Sequence, residues 1–353
     1  MVQVLDGETS VPDLVRSATI EVIPLKGAEG KVASVPTGTT VTITCSPKFG
    51  LARTLDHVAA ACATGHRVVP HLAARMVADR RELRDFVRRV TDLGVDDLYV
   101  IGGDGEQPVG EFAEASQILE ELRGFDHGLR RIGIGCYPEG HPSIGPDALF
   151  DALARKQQHA DYMVSQLCFD ADALVGWLRT TRDAGISLPL RIGLAAPLQI
   201  RKLIELSLRI GVGQSVRYLS KQNGFLGNVL LGRAYEPADL LDEIKSRAPF
   251  HALGVEGLHL FSFNQIEATV DWQARVAGAV VRWTPARPFG HWIGESNEPR
   301  REDQGIRERR GHAAERADGC VRVSDALGVH ELAGRAAGLE RDRRHVRPVA
   351  SHD

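Results

Sequence analysis

The amino-acid sequence predicts an α/β protein folded as a (β/α)8 barrel, or TIM barrel, over residues 18–280. Eight short apolar, β-branched segments alternate with longer segments of helical periodicity. Several short segments are apolar on both faces, as strands of a parallel sheet are. Eight strand–helix units in roughly 250 residues also match the usual size of this fold. The competing fold is a doubly wound open sheet, but no GxGxxG motif follows the first strand.

The eight predicted strands follow one another at regular intervals along the chain. They are ATIEVIP (18–24), TVTITC (40–45), RVVPHL (67–72), DLYVIGG (97–103), RIGIGC (131–136), DYMVSQ (161–166), LRIGLA (190–195) and GLHLFSF (257–263). Two of the intervening helices show one apolar face each. These faces consist of Leu51, Leu55, Val58, Ala59 and Cys62, and of Leu83, Phe86, Val87, Val90 and Leu93.

The two ends of the chain differ from the barrel in composition. Residues 1–17 are predicted to form an N-terminal arm. Residues 281–353 contain 14 arginines and no lysine, whereas all seven lysines of the chain lie upstream. The segment has little apolar periodicity, so we expect an Arg-rich, charged C-terminal extension that is partly disordered.

Composition excludes several classes of function. A net charge of -3 indicates neither a nucleic-acid partner nor a membrane surface, and no apolar run approaches the length of a membrane span. The N-terminus has no signal-peptide pattern, and five scattered cysteines form no disulfide framework. We therefore expect a cytoplasmic protein with a small-molecule substrate. A homo-oligomer is compatible with the sequence.

Polar residues gather where the predicted strands end, which is where barrel enzymes place their active sites. Glu21 interrupts the otherwise apolar first strand. The residues at the other strand ends are Thr44, His71, Gly103, Asp104, Tyr137, Glu139, His141, Gln166 and Asn264. Taken alone, His71, Asp104, Glu139 and His141 could converge on a metal ion, as in a metal-dependent barrel hydrolase or lyase.

The order of these motifs resembles the methylenetetrahydrofolate reductase family. The similarity covers about residues 18–280 and follows the order IEVIP, TVTIT, PHL, GGD, YPEGHP, SQLCFD and HLFSFN. The YPEGHP run at residues 137–142 is its most specific element. The resemblance implies a (β/α)8 barrel that reduces 5,10-methylenetetrahydrofolate to 5-methyltetrahydrofolate, with FAD as cofactor and NADH or NADPH as co-substrate.

The resemblance also implies roles for individual residues. Glu21 matches the general acid that helps to open the substrate's imidazolidine ring, and Asp104 matches an aspartate near both flavin and folate. Gln166 matches the glutamine that contacts the pterin. The resemblance assigns no metal ligand. The residues that match flavin contacts are Thr44, His71, Gly103, Asp104, Phe112, Ala113, Tyr137, His141 and Lys156.

Two further interpretations concern single positions in these motifs. Gly102 stands where the family carries an arginine before Gly103, which keeps open a flavin-independent or a non-catalytic folate-binding relative. Within YPEGHP, Glu139 is predicted to fix a loop, and the prolines are predicted to keep that loop rigid.

Overall fold

The computed structural model describes residues 9–105, 107–209 and 234–278; the predicted extension at 281–353 lies outside them. Eight parallel strands close into one barrel in chain order, and β8 pairs with β1. The predicted (β/α)8 fold is therefore confirmed. The strands are β1 Thr19–Val22, β2 Thr40–Ile43, β3 Arg67–Ala73, β4 Asp97–Ile101, β5 Arg131–Cys136, β6 Tyr162–Ser165, β7 Leu190–Ala195 and β8 Val255–Phe261.

Helices connect the strands, as parallel pairing requires. Those described are α1 Val11–Arg16, α2 Ala28–Val32, α3 Gly50–Ala63, α4 Arg80–Asp92, α5 Ala115–Leu122, α6 Pro146–Lys156, α7 Ala171–Asp183, α8 Ile200–Arg209, α9 Pro237–Arg247 and α10 Ile266–Val276. Short 3₁₀ turns occupy Ala74–Met76 and Gln157–His159. No helix in the described ranges is long and apolar enough to cross a membrane.

Helix α4 shows how local sequence sets an element. It begins at an N-cap, Asp79, whose side chain accepts the N–H of Glu82 at 2.8 Å, while Glu82 accepts the N–H of Ala78 at 2.7 Å. Its predicted apolar face is buried except at Leu93, which lies just past the helix end and is 40% exposed. The buried members are Leu83, Phe86, Val87 and Val90.

The floor of the barrel, at the N-terminal ends of the strands, is filled by a charged and aromatic cluster. The Tyr162 ring lies in its centre, with the Arg191 guanidinium 3.8 Å from the ring centroid. The Tyr162 hydroxyl donates to Asp97 at 2.8 Å, and Arg191 donates to Glu256 at 2.8 Å. Gly133 makes room for the ring, because a Cβ there would lie 2.3 Å from Tyr162 Cζ. The floor is therefore filled by packed side chains.

The seam between β8 and β1 is closed by Asn264. Its side-chain oxygen accepts the N–H of Ile23 at 2.8 Å, and its amide donates to the Ile23 carbonyl at 2.9 Å. Asn264 has a φ of 60° and Phe263 a φ of 49°, left-handed values that non-glycine residues rarely adopt. The strained turn fixes the end of β8 against β1, where Glu21 lies.

Candidate active site

Three buried side chains meet inside the upper part of the barrel. Glu21 on β1 is 7% exposed, His71 on β3 is 4% exposed and His259 on β8 is 2% exposed. The Glu21 carboxylate oxygen Oε2 lies 3.1 Å from His259 Nε2 and 4.0 Å from His71 Nε2. Within the described part of the chain, these two histidines are the only basic side chains within 4.0 Å of the Glu21 carboxylate.

Neighbouring aromatic rings hold the two imidazoles in place. Tyr99 on β4 contacts His71 edge to face, with 4.6 Å between the ring centroids, and Phe261 contacts His259 in the same way at 4.8 Å. Burial, together with the nearby His259, holds the pKa of His71 well below its usual value. The ring is therefore neutral at physiological pH. Its Nε2 atom is buried without a hydrogen-bond partner.

A second polar group lies above this cluster, at the mouth of the barrel. Asp104 is exposed to the mouth, yet the surrounding protein raises the pKa of its carboxyl by desolvation, and His141 partly opposes that shift. Burial lowers the pKa of His141 and raises that of Tyr137 to about 12. The rings of Tyr137 and His141 meet edge to face at 5.1 Å. Asp104, Tyr137 and His141 thus share one electrostatic environment.

The two glycines that precede Asp104 have different surroundings. Gly103 has a φ of 93°, and a Cβ there would lie 2.9 Å from the Cβ of Ala73. A side chain is therefore excluded at this position. At Gly102, by contrast, an added Cβ would meet no atom within 4 Å. The backbone before Asp104 is therefore open at Gly102 and packed against Ala73 of β3 at Gly103.

Glu139 fixes a loop, as the sequence predicted. Its Oε1 atom accepts the N–H groups of Phe169 at 2.7 Å and Asp170 at 3.0 Å. Asp170 in turn caps α7 by accepting the N–H groups of Asp172 and Ala173. The carboxylate of YPEGHP therefore ties the β5 loop to the loop that follows Gln166.

Of the remaining predicted site residues, Thr44 and Gln166 lie at the ends of strands, whereas Phe112, Ala113 and Lys156 pack against or bond to other parts of the protein. Thr44 is buried at the end of β2, and Gln166 is partly exposed at the end of β6, where its side-chain oxygen accepts the Leu167 N–H at 2.8 Å. Phe112 is packed in the hydrophobic core. The N–H of Ala113 donates to Gln117, and Lys156 donates to the Gly135 carbonyl at 3.0 Å. Phe112, Ala113 and Lys156 are thus already engaged by the protein.

The alternative metal grouping of His71, Asp104, Glu139 and His141 does not form among the described residues. In the described residues the one set of three or more side chains able to share a metal ion is Glu21, His71 and His259. His71 is the one residue common to both groupings, and Glu139 instead accepts backbone N–H groups. His259 and Tyr99 were not selected from the sequence. Both are polar residues inside apolar strands, the same signal that singled out Glu21.

A closed parallel barrel with polar side chains at the carboxyl ends of its strands defines the class as (β/α)8 barrel enzymes. Residues 30–208, about half of the chain, match the methylenetetrahydrofolate reductase family. The chain belongs to this family, which places it at family level among folate-related oxidoreductases. The matched span includes His71, Asp104 and Gln166 but neither Glu21 nor His259.

Relatives and solved structures show more distant similarity. Methylenetetrahydrofolate reductase 1 of Schizosaccharomyces pombe is 29% identical over 121 residues, which cover 32% of this chain and 20% of the relative. The structural alignment with oxaloacetate acetylhydrolase covers 76% of this chain and 84% of that protein's chain, at 11% identity and a TM-score of 0.45. The alignment with phosphoenolpyruvate phosphomutase from Streptomyces platensis subsp. rosaceus covers 73% of this chain and 80% of that protein's chain, at 11% identity and a TM-score of 0.39. Neither structural likeness is close enough to bear on function.

Proposed function

We propose that the protein reduces 5,10-methylenetetrahydrofolate to 5-methyltetrahydrofolate with NADH or NADPH, and that Glu21 is the general acid. The observation that carries the proposal is a buried carboxyl group inside the barrel of a chain that belongs to this family, held at 3.1 Å by a neighbouring imidazole. Opening the imidazolidine ring requires a proton on a weakly basic nitrogen. A carboxyl group fixed in a mostly dry site can deliver it.

Asp104 would stabilise the positive charge that develops as the ring opens. It lies at the mouth, and as an anion it would be close to a cationic substrate bound there. Desolvation opposes its ionisation, so a cation arriving in the mouth would favour the charged form. Gln166 would contact the pterin, for which an amide side chain offers both donor and acceptor.

FAD is the cofactor that we propose, and the residues at the mouth fit it in part. Tyr137 and His141 provide an aromatic wall, and the open backbone at Gly102 would leave room for a flat ring system. Thr44, Asp104 and the neutral His71 would supply fixed polar contacts. A flavin held there would supply the hydride relay between the nicotinamide and the folate.

The first test is whether purified full-length protein oxidises NADH or NADPH in a methylenetetrahydrofolate-dependent manner. Glu21→Gln should lower turnover by about 10²- to 10⁴-fold and leave folate binding within a few-fold of wild type. Glu29→Gln, a half-exposed glutamate on α2, is the matched control. Unchanged turnover in Glu21→Gln would refute the acid role.

A visible absorption spectrum of the same protein separates the two closest alternatives. Flavin bands with activity support the FAD-linked reaction. A colourless protein that still oxidises the nicotinamide would be a flavin-independent reductase, and one that binds folate without turnover would be a binding relative.

A further inference from the structure

We infer that Glu21, His71 and His259 form a binding site for one divalent transition-metal ion of the Zn²⁺ type. Their donor atoms, two imidazole nitrogens and one carboxylate oxygen, all lie within 4.8 Å of one another. Two histidines and a glutamate with a further open position are a donor set that Zn²⁺ accepts in proteins. The site is assigned from these three side chains and not from the proposed reaction.

The distances are close to those that a bound ion requires. Ligand atoms at about 2.0–2.1 Å from a tetrahedral Zn²⁺ lie roughly 3.3 Å apart. Glu21 Oε2 and His259 Nε2 are already 3.1 Å apart, and His71 Nε2 is 4.0 Å from the same oxygen. Since no two donor atoms are more than 4.8 Å apart, side-chain movements on the order of 1 Å would complete the coordination.

The unpaired nitrogen of His71 is independent support for a ligand. Its Nε2 atom is fully shielded from solvent and has no hydrogen-bond partner. A buried polar atom without a partner carries a desolvation cost, and native proteins rarely leave one unexplained. A metal ion between His71, His259 and Glu21 would satisfy this nitrogen and also compensate the buried negative charge of the carboxylate.

The surroundings favour a fixed set of ligands. The edge contacts from Tyr99 to His71 and from Phe261 to His259 limit rotation of both imidazoles. The three side chains come from β1, β3 and β8, so the barrel itself sets their spacing. Sites built on strands hold their geometry better than sites built on loops.

The test is titration of the full-length protein, first stripped with a chelator and then freed of it, with Zn²⁺ alone by isothermal calorimetry. We expect one ion per chain, and a loss of affinity of at least about a hundredfold in His71→Ala and in His259→Ala. His66→Ala is the matched control. His66 is also buried with an unpaired ring nitrogen, but it precedes β3 at the opposite end of the barrel.

Three results would overturn the assignment. They are no saturable binding by wild type, equal losses in His66→Ala and His71→Ala, or binding that survives both cluster substitutions. If the alanine variants do not fold, His71→Gln and His259→Gln are used, with circular dichroism as the check on folding. Co²⁺ in place of Zn²⁺ should give the visible bands of a tetrahedral site in wild type and His66→Ala and lose them in the glutamine variants. Because no folate or nicotinamide is present, failure of the proposed reaction would leave this outcome unaffected.

Discussion

Replacing Gly133 by alanine should destabilise the barrel floor more than any comparable exchange there. A Cβ at position 133 would lie 2.3 Å from Cζ and 2.6 Å from the hydroxyl oxygen of Tyr162. The ring is 1% exposed and cannot move without disturbing its neighbours. Displacement would break the 2.8 Å bond from its hydroxyl to Asp97 and separate it from the Arg191 guanidinium 3.8 Å away.

The expected cost follows from these three losses. Overpacking a filled interior costs about 1–3 kcal/mol. An acceptor left without its donor costs about 1–3 kcal/mol, and the cation–π contact contributes about 0.5–2 kcal/mol. A single ring movement causes all three, so they do not add fully. We expect the free energy of unfolding to fall by about 3–4 kcal/mol, a large share of the usual 5–15 kcal/mol.

Gly257→Ala is the matched control for this experiment. Gly257 pairs with Arg191 in the same barrel layer, but an added Cβ would meet only Arg191 Cγ, at 3.8 Å. We expect its stability to stay within about 0.5–1 kcal/mol of wild type. Urea denaturation of both variants measures the difference. Equal stabilities would refute the steric reasoning, and so would an undiminished cost of Gly133→Ala in a Tyr162→Leu background, where the ring is gone.

Two further predictions concern Glu139 in the loop after β5 and His71 in the buried cluster. Glu139→Ala should lower the free energy of unfolding by about 2–4 kcal/mol, because the N–H groups of Phe169 and Asp170 lose a charged acceptor. Glu139→Gln should cost less, and denaturation curves measure both variants. Normal stability together with abolished turnover would instead indicate that Glu139 is a catalytic carboxyl group. In metal-free protein, the free energy of unfolding should fall as the pH drops below 6.5. The pKa of His71 is lowered in the folded state, so in this pH range the unfolded chain binds a proton that the folded chain does not bind. His71→Gln should flatten that part of the pH–stability curve, and an unchanged slope would contradict this account.

Local sequence patterns were sufficient to predict the barrel. Each strand is short, apolar and separated from the next by a helical segment, so period and spacing gave all eight strands and their order. No strand boundary differs from its prediction by more than two residues, but β8 is displaced at both ends: it spans Val255–Phe261 and not 257–263. Glu256 is exposed and pairs with Arg131 and Arg191 from neighbouring strands. In the sequence alone, a charged residue at the start of a strand cannot be distinguished from a loop residue, because its ion-pair partners lie on other strands.

The candidate site was only partly predictable, because its centre depends on barrel closure. Glu21 was visible as a carboxylate in an apolar strand, and Glu139 was recognised as a loop-fixing residue. His259 pairs across the seam with Thr19, which brings its imidazole to Glu21 from 238 positions away along the chain. The register between the first and last strands decides this contact, and no local pattern contains that register. Tyr99 similarly depends on its pairing with His71 between β3 and β4.

The reductase and the metal site both depend on Glu21, and the two uses exclude each other. A carboxylate that coordinates Zn²⁺ has no proton to donate, so Zn²⁺ should inhibit the proposed reduction at concentrations that match its binding constant. His259→Gln separates the two uses, because a glutamine amide can still donate a hydrogen bond to Glu21 but is a poor Zn²⁺ ligand. We expect this variant to retain most of its folate-dependent NAD(P)H oxidation while tolerating at least about tenfold more Zn²⁺. Wild-type sensitivity to Zn²⁺ in His259→Gln would show that inhibition arises elsewhere, whereas loss of activity without added metal would show that the imidazole itself is required to position the acid.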